Sequence, residues 1–431
     1  MNGNLSKKFF ILSLSVLLFF SKTLSIDPAT ALEINKKIEK YMPEIISIRR
    51  FIHMNPELSN REFETAKLVS SKLLSLGLEI KTGVARTGVV GLLRGTRGGI
   101  TVAIRADMDA LPIQELVDIP FKSLNPGVMH ACGHDVHTSI ALGTAYVLSS
   151  LKDKIQGNIK FLFQPAEEGP PPGEEGGAAL MIKEGVLEDP PVKAIFGLHV
   201  WPESVGQVLF SPGPILASSD WFQITIKGKS SHGARPHEGI DSITIAAQII
   251  VNLQAIISRT IDPLDSAVLT IGKIEGGTRA NIIAQDVRLE GTLRTLNPKI
   301  RDTIPELMEN MIRGVTHSFG ADYVFDFQKG NPVVSNHPEL AKIMLPTLFA
   351  VLGKENVKEL KPQMVAEDFA YYCQKIPGFF YFLGVKNPLE KTMAPLHNPY
   401  FNPDERAIPW GIKIMCHLLL DSLENQSHLD N

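Results

Sequence analysis

Apolar and polar positions follow two different periods along the first half of the chain, and these periods predict its elements. A helical period runs from residue 34 to about 76, with a break at Pro56-Glu57-Leu58 and a closing glycine, Gly77. Short apolar runs then alternate with one helical segment. The predicted strands cover 89–94, 101–105, 158–163 and 193–198, and the predicted helix covers 138–151. Strands that alternate with helices in this way predict βαβ units and a mainly parallel sheet.

The order of elements changes at the turn Ser211-Pro212-Gly213-Pro214. The pattern then predicts strand, helix, strand, strand, helix and strand, at 221–227, 239–259, 267–274, 287–293, 299–319 and 323–328. This βαββαβ order is ferredoxin-like. After residue 332 the helix and strand pattern returns, with a strand at 379–383.

The predicted fold class is therefore α/β. A larger domain with a mixed, mainly parallel sheet is made in two pieces, 26–212 and 330–431, and a smaller ferredoxin-like α+β domain, 213–329, is inserted between them.

Residues 1–25 are predicted to be a signal peptide. Lys7 and Lys8 precede an apolar run at 9–20, and small and polar residues follow. The apolar run is shorter than the roughly 20 residues that a membrane-spanning helix needs. We expect export to a periplasm, to the outside or to the ER lumen, with no stable membrane span after processing. The alternative is an uncleaved anchoring segment.

Composition narrows the function classes. The 431 residues are 44% hydrophobic and 21% charged, which is ordinary for a folded protein with a large core. The net charge of -3 gives no electrostatic argument for a nucleic acid partner, which usually requires a basic domain or stripe, so we expect none. Three cysteines, Cys132, Cys373 and Cys416, are too few for a disulfide framework.

The run His130-Ala131-Cys132-Gly133-His134-Asp135-Val136-His137 concentrates a thiol, three imidazoles and a carboxylate in eight residues. Glu167 and Glu168 follow the strand at 158–163, and His199 follows the strand at 193–198. The carboxyl ends of parallel strands meet at one edge of a sheet, where ligands bind. We therefore expect these side chains to converge there.

Thiolate, imidazole and carboxylate are the ligand types that zinc takes in proteins. Five candidates supply them: Cys132, His134, Glu168, His199 and His397. Five exceed one tetrahedral shell, so either two ions share the site or some of these residues only support the ligands. Glu167 can then serve as the base, because metal-assisted hydrolysis needs a proton acceptor that is not itself a ligand.

Other interpretations of these residues remain open. Cys132 beside an imidazole also fits a thiol nucleophile. Asp107 and Asp109, just after the strand at 101–105, either orient a ligand histidine through its second nitrogen or cap a turn.

Three residues of the inserted domain are further candidates. His232 lies in a small flexible loop that is either a plain turn or a donor to the oxyanion of a tetrahedral intermediate. Asn281 and Arg294 are either structural or anchors for a substrate carboxylate.

Taken together, these motifs resemble the metallopeptidase family that includes aminoacylases, hippurate hydrolases and plant auxin-conjugate hydrolases, from about residue 40 to the C-terminal region. The segments that carry the resemblance are His53-Met54-Asn55-Pro56-Glu57-Leu58, Arg105-Ala106-Asp107-Met108-Asp109-Ala110-Leu111-Pro112, His130-Ala131-Cys132-Gly133-His134-Asp135, Gln164-Pro165-Ala166-Glu167-Glu168, Gly197-Leu198-His199, Ser231-His232-Gly233-Ala234-Arg235-Pro236 and Leu396-His397-Asn398.

The resemblance implies a two-metal site held by the five candidate ligands, with Glu167 as general base. It also implies that the inserted domain is a lid, and often a surface for forming a homodimer, with His232 near the scissile bond.

The function expected from the sequence is that of a metal-dependent amidohydrolase. It would cleave N-acyl amino acids of the N-acetyl, benzoyl or indole-acetyl type by attack of water, using two divalent ions, zinc or manganese with cobalt possible. One alternative is a metallocarboxypeptidase that acts on short peptides. Alternatives of another class are an acyl hydrolase that depends on Cys132 and a non-catalytic metal-binding protein.

Overall fold

The chain forms a larger α/β domain into which a smaller α+β domain is inserted, in a computed structural model that describes residues 26–389 and 391–425. The predicted signal peptide lies outside the described residues. The strands are β1 (Glu79–Val84), β2 (Gly88–Arg94), β3 (Arg97–Asp107), β4 (Gln156–Gln164), β5 (Val192–Ser204), β6 (Val208–Phe210), β7 (Gly213–Leu216), β8 (Asp220–Lys227), β9 (Ala267–Gly276), β10 (Asp286–Thr295), β11 (Asp322–Lys329), β12 (Val334–Asn336), β13 (Val357–Glu359) and β14 (Gly378–Lys386). The α-helices are α1 (Pro28–Met54), α2 (Phe63–Ser75), α3 (His134–Ser149), α4 (Gly177–Lys183), α5 (Ser242–Ala255), α6 (Pro298–Ser318), α7 (Pro338–Leu352), α8 (Ala370–Cys373) and α9 (Ala407–Glu424).

The larger domain is built on an eight-stranded sheet in the order β1-β2-β4-β3-β5-β14-β6-β13. Its centre, β4-β3-β5-β14, is parallel. The pairs β1-β2, β2-β4 and β14-β6 are antiparallel. The predicted mixed, mainly parallel sheet is thus confirmed. The strand β1 escaped prediction because its side chains are mostly exposed and give no alternating pattern.

Helices α1, α3 and α9 cover one face of this sheet and share one hydrophobic core with it. Every residue from His134 to Leu148 is buried, so α3 passes through the interior. It begins at His134, four residues earlier than predicted, which places that imidazole in the first helical turn. A second cluster, on the other face, includes residues of α4 and α8.

The inserted domain has a four-stranded antiparallel sheet in the order β11-β8-β10-β9, and α5 and α6 pack on one face of it. The predicted βαββαβ arrangement is confirmed. Helix α5 begins at Ser242 because the Asp241 carboxylate accepts hydrogen bonds from the backbone N–H groups of Ile243 and Thr244.

Helix α5 continues into a π-helical turn, Ile256–Thr260, and the combined segment Ser242–Thr260 is the one helix among the described residues that is long and apolar enough to cross a membrane by length and composition alone. Its residues Ile245, Ile249 and Leu253 are buried in the core of the inserted domain, so this segment is an amphipathic helix of that domain.

The chain passes between the two domains at β7 and β12, which pair antiparallel. Both strands contribute residues to the second core of the larger domain, Ile215 and Leu216 from β7 and Val334 from β12. The predicted boundaries at 212/213 and 329/330 remain predictions.

Candidate metal centre

The candidate ligands come from separate elements that end at one edge of the larger sheet. Cys132 and His134 flank the start of α3, and Glu168 follows β4. His199 lies on β5, next to β14, and His397 lies in the loop after β14. The structure brings all five together with Glu167, as the rule of converging strand ends predicts.

Cys132 is the centre of one half of this cluster. Its Sγ lies 3.3 Å from Nε2 of His199 and 3.2 Å from Nε2 of His397. Nε2 of His397 also lies 3.1 Å from Oε1 of Glu168. Nδ1 of His199 lies 2.7 Å from the Val200 carbonyl oxygen, to which it donates a hydrogen bond, so its Nε2 is the nitrogen available to a metal.

His134 is the centre of the other half. Its Nδ1 lies 3.3 Å from Oδ1 of Asp109, and its Nε2 is buried without a hydrogen-bond partner. That nitrogen lies 3.8 Å from Oε2 of Glu167 and 3.8 Å from Oδ2 of Asp107. A buried nitrogen that faces two carboxylates and forms no hydrogen bond fits a cation bound between them.

Gly133 allows the two halves to approach. It has φ +82°, in the left-handed region, and a Cβ at this position would overlap the side chain of Val200. Only glycine combines this backbone conformation with so close a contact. Because Val200 follows His199 directly, the contact fixes the distance between the Cys132 to His134 segment and His199.

Asp107 and Asp109 support the cluster in different ways. Oδ1 of Asp107 accepts a 2.6 Å hydrogen bond from Nδ1 of His137, whose Nε2 accepts one from the Val200 N–H. Both nitrogens of His137 are therefore occupied, which removes it as a metal ligand. The two oxygens of Asp109 accept from the N–H groups of Glu167 and Glu168, at 3.1 and 3.0 Å, in addition to its contact with His134.

Sequence reasoning missed a buried ion network beside the cluster. The Arg105 guanidinium contacts Asp107, Glu367 and Asp368 at 2.6 to 2.9 Å, and its Nε donates to Gln164. Arg105 belongs to the sequence motif 105–112, but only its position on β3, beside β4, indicates that it binds these side chains. Glu367 and Asp368, the two acidic residues before α8, follow no predicted strand directly, so the rule of converging strand ends does not single them out.

The electrostatics of the cluster favour a cation. Burial acts against charge on His134, but Asp107 and Asp109 outweigh it and raise the pKa of His134 to about 10. Burial, together with the neighbouring Glu367 and Glu168, raises the pKa of Glu167 well above its usual range. Burial and then Glu168 likewise raise the pKa of the Cys132 thiol. The raised pKa values of Glu167 and Cys132 follow from the many acidic groups buried around them, and a bound cation would offset this negative charge.

A cavity of about 380 Å³ opens onto these residues. Glu167, Glu168 and Glu367 supply its acidic wall. The rest of the lining outside the cluster is apolar or aromatic, and among the described residues it contains no lysine or arginine. These apolar and aromatic residues are Trp201, Pro202, Leu216, Val365, Ala366, Phe382, Pro395 and Leu396.

The predicted residues of the inserted domain lie elsewhere in this structure. His232 and Asn281 are exposed neighbours, because the Gly233 N–H donates to the Asn281 carbonyl, and neither lines the cavity. Arg294 lies at the junction of the domains, where its Nη1 donates at 3.4 Å to the carbonyl of Met364, one residue before the cavity wall. Their roles toward a substrate remain predictions.

Comparison with known proteins adds independent findings. The sequence pattern of peptidase family M20/M25/M40 matches residues 103–421. An N-acyl-L-amino acid amidohydrolase of Geobacillus stearothermophilus is 44% identical over 71% of this chain and 82% of its own length. Thermostable carboxypeptidase 2 of Saccharolobus solfataricus is 41% identical over 89% of this chain and 95% of its own.

A solved structure agrees with the fold over nearly the whole chain. It is that of a Bacillus subtilis protein described as a dinuclear metal-binding peptidase of family M20. It superposes with a TM-score of 0.78 at 36% identity, and the match covers 90% of this chain and 99% of the other.

Proposed function

The chain belongs to peptidase family M20/M25/M40, and from this membership we propose that it is a metal-dependent amidohydrolase that cleaves the amide bond of N-acyl amino acids. The observation that carries the proposal is the position of Glu167. Its side chain is only 8% exposed, lines the cavity and lies beside the unpartnered Nε2 of His134. A carboxylate that faces both the candidate metal ligands and a substrate-sized cavity is placed to act as a general base.

We propose that Cys132, His134, Glu168, His199 and His397 hold two divalent ions. When bound, such ions would polarise the amide carbonyl and lower the pKa of water at the site. A thiolate favours zinc, whereas the carboxylate and imidazole ligands also suit manganese, and cobalt is a further candidate.

The chain's own part in the reaction is the movement of one proton. The Glu167 carboxylate accepts a proton from the attacking water as the water oxygen bonds to the carbonyl carbon. The same carboxyl group then gives that proton to the nitrogen as the carbon–nitrogen bond breaks. The products are a carboxylic acid and the amino group of a free amino acid.

The shape of the cavity supports an apolar acyl group. Trp201 and Phe382 lie with their ring centroids 4.5 Å apart in its wall, beside Leu216 and Val365. Without a lysine or arginine among its described lining, this wall suits an acetyl, benzoyl or indole-acetyl group better than an anionic one.

A second candidate is carboxypeptidase activity on short peptides. It is favoured by the similarity to thermostable carboxypeptidase 2, which covers most of both chains. The same residues would act, because a peptide bond is also an amide with a free carboxylate on its leaving side.

The alternative of a Cys132 nucleophile is less well supported. A thiol reacts as its thiolate, and burial together with Glu168 and Glu167 raises the pKa of Cys132. Burial also lowers the pKa of the neighbouring His199 well below its usual range, so this imidazole supplies no positive charge. A metal-binding protein without activity would leave Glu167 without a role.

The test is hydrolysis of N-acetyl, N-benzoyl and indole-acetyl amino acids and of dipeptides, before and after chelation and after return of zinc, manganese or cobalt. We expect activity to be lost with the chelator and recovered with one of these ions. In Glu167→Gln we expect turnover to fall by about 10²- to 10⁴-fold, the contribution typical of a general base, with metal content unchanged. Activity that survives chelation but not alkylation would move the chemistry to Cys132, and no turnover with any substrate would favour the binding protein.

We propose further that two copies associate through the inserted domain. Strand β9 is an edge of its sheet, and no strand pairs with its outer side among the residues that the structure describes. On the adjacent α5, Ile243 and Val251 are 48% and 70% exposed. Light scattering on the wild type and on Val251→Glu tests this: a dimer that the substitution dissociates is expected, and a monomeric wild type would contradict it.

Residues 1–25 are proposed to direct export. Expression of the full chain and mass determination of the product would test this, since cleavage near residue 25 removes the leader and an intact N-terminus indicates the anchoring segment instead.

A further inference from the structure

We propose that Glu62 is a positioning residue for Glu167, holding the backbone from which the general base projects. This inference rests on the proposed function only in giving Glu167 the role of base. Glu62 lies more than a hundred residues away in sequence, and its side-chain hydrogen bonds within the described part of the chain are to Asn60, Thr87 and Ala166, not to a candidate metal ligand.

The first observation is the backbone conformation of Ala166, the residue before Glu167. Its φ is +53°, in the left-handed region that residues other than glycine seldom adopt. Its N–H donates a 2.9 Å hydrogen bond to Oε1 of Glu62. A side-chain acceptor thus holds a residue in a conformation that the backbone does not favour by itself.

The Glu62 carboxylate is itself fixed. It is fully buried, Oε1 also accepts from the Asn60 N–H at 3.0 Å, and Oε2 accepts from the hydroxyl of Thr87 at 2.5 Å. With donors on both oxygens the side chain is held in one orientation, and its distance to Ala166 is fixed with it.

A second buried carboxylate continues the same arrangement. The N–H groups of Glu167 and Glu168 donate to Asp109, and Asp109 is oriented by a 2.7 Å hydrogen bond from the Ser59 hydroxyl. Three consecutive backbone N–H groups, from Ala166 to Glu168, therefore end on two carboxylates.

The residues next to Glu62 hold the far end of the same loop. Nδ2 of Asn60 donates to Oε2 of Glu174 at 2.9 Å and to the Glu175 carbonyl at 3.1 Å, and Arg61 contacts Glu174 at 2.6 Å. Residues 59–62 thus bind both ends of the loop 166–175, directly or through Asp109. This distribution of contacts points to precise placement of the loop rather than to the packing of one side chain.

Placement matters because a base misplaced by about 1 Å can cost 10²-fold in rate. Removing the Glu62 acceptor releases the Ala166 N–H and allows the backbone to leave the left-handed region. Asp109 still holds the Glu168 N–H in this variant, and the other four proposed metal ligands lie outside the loop, so the loss is expected in kcat rather than in metal content.

The experiment compares Glu62→Ala, Glu62→Gln and the control Glu57→Ala. Glu57 is matched because its carboxylate also accepts two backbone N–H bonds, from Glu64 and Thr65 at the start of α2, and neither bond involves the loop 166–175. For each variant we would measure kcat, KM and metal content. Hydrogen exchange of the 164–168 segment would be followed in the chelated protein.

In Glu62→Ala we expect kcat to fall about 10- to 100-fold, with KM and metal content unchanged and faster exchange at the Ala166 amide. Glu62→Gln keeps an oxygen for the two backbone donors and is expected to restore most of kcat and of the protection. Glu57→Ala is expected to match the wild type in kcat and in exchange at 164–168.

Unchanged exchange at Ala166 in Glu62→Ala, or an equal loss of kcat in Glu57→Ala, would overturn the inference. If Glu62→Ala does not fold, Thr87→Val removes one anchor of the same carboxylate, and a wild-type kcat and exchange rate in that variant would also overturn it. Absence of turnover in the wild type would instead reject the proposed function, and the exchange data would still decide whether Glu62 holds the loop.

Discussion

Replacing Arg105 with methionine is expected to lower the free energy of unfolding by about 3–5 kcal/mol, the cost typical of breaking a buried ion pair by removing one partner. Arg105 is 2% exposed and contacts Asp107, Glu367 and Asp368. Methionine fills a similar volume without the charge or its hydrogen bonds, so these carboxylates lose their common cation.

The loss is expected to correspond to about one uncompensated charge rather than three, because each carboxylate keeps another donor. Asp107 retains His137, Glu367 retains the Phe369 N–H, and Asp368 retains Gln164 and the Ala178 N–H. These hydrogen bonds limit the desolvation cost that remains.

The loss is expected to depend on pH. Burial raises the pKa of Asp368 to about 7 even though Arg105 acts to lower it. Since this pKa is above the value of the unfolded chain, the native state holds the extra proton, and stability falls as the pH rises from about 4 through 7. Without Arg105 the pKa of Asp368 rises further, so the variant should lose more stability at pH 8 than at pH 5.

The assay is urea unfolding followed by far-ultraviolet circular dichroism on the chelated protein at both pH values. Arg94→Met is the control, because Arg94 contacts Glu79 through two nitrogens, at 2.6 and 3.0 Å, in a pair whose side chains are 54% and 61% exposed. That pair is expected to contribute about 0–1 kcal/mol. An Arg105→Met variant no less stable than Arg94→Met, or one whose loss is the same at both pH values, would refute the reasoning.

Two further predictions concern the metal cluster and the cavity. Gly133→Ala is expected to reduce the amount of metal retained after dialysis, because the added Cβ overlaps the side chain of Val200. Elemental analysis measures the retained metal, and the double variant with Val200→Ala should recover part of it. Full retention of metal in the single variant would contradict the close contact. Trp201→Ala is expected to lower kcat/KM for N-benzoyl more than for N-acetyl substrates by about 10-fold, in line with the loss of apolar contacts in a pocket, and an equal effect on both would remove Trp201 from the acyl site.

The fold could be predicted from the sequence because each element that packs against a core places its apolar residues at the period of a helix or of a strand. Strands β3, β4 and β5 appear as short apolar runs that alternate with a helix, and the inserted sheet follows in its βαββαβ order. The site followed from one further rule, that carboxyl ends of parallel strands meet. That rule by itself predicts that Glu167, Glu168 and His199 lie at the same edge of the sheet.

The residues that escaped prediction lack such a local signal. Glu367 and Asp368 precede a helix of one turn and meet Arg105 only because β14 lies beside β5, which lies beside β3. His232 and Asn281 show the converse. Their local sequence does not indicate how far their loop lies from the site, since the orientation of the inserted domain depends on the crossing at β7 and β12.

Charge balance connects the unpredicted residues to the predicted ones. Asp107, Glu167, Glu367 and Asp368 lie within one largely buried region, and like charges at such distances oppose ionisation. Arg105 keeps its positive charge at every ordinary pH, so it neutralises part of this region without a bound metal. The remaining carboxylate charge lies toward His134 and Cys132, where two divalent ions are proposed to bind. We therefore expect the removal of Arg105 to destabilise the chelated protein more than the metal-bound protein, in which the ions would supply part of the missing positive charge.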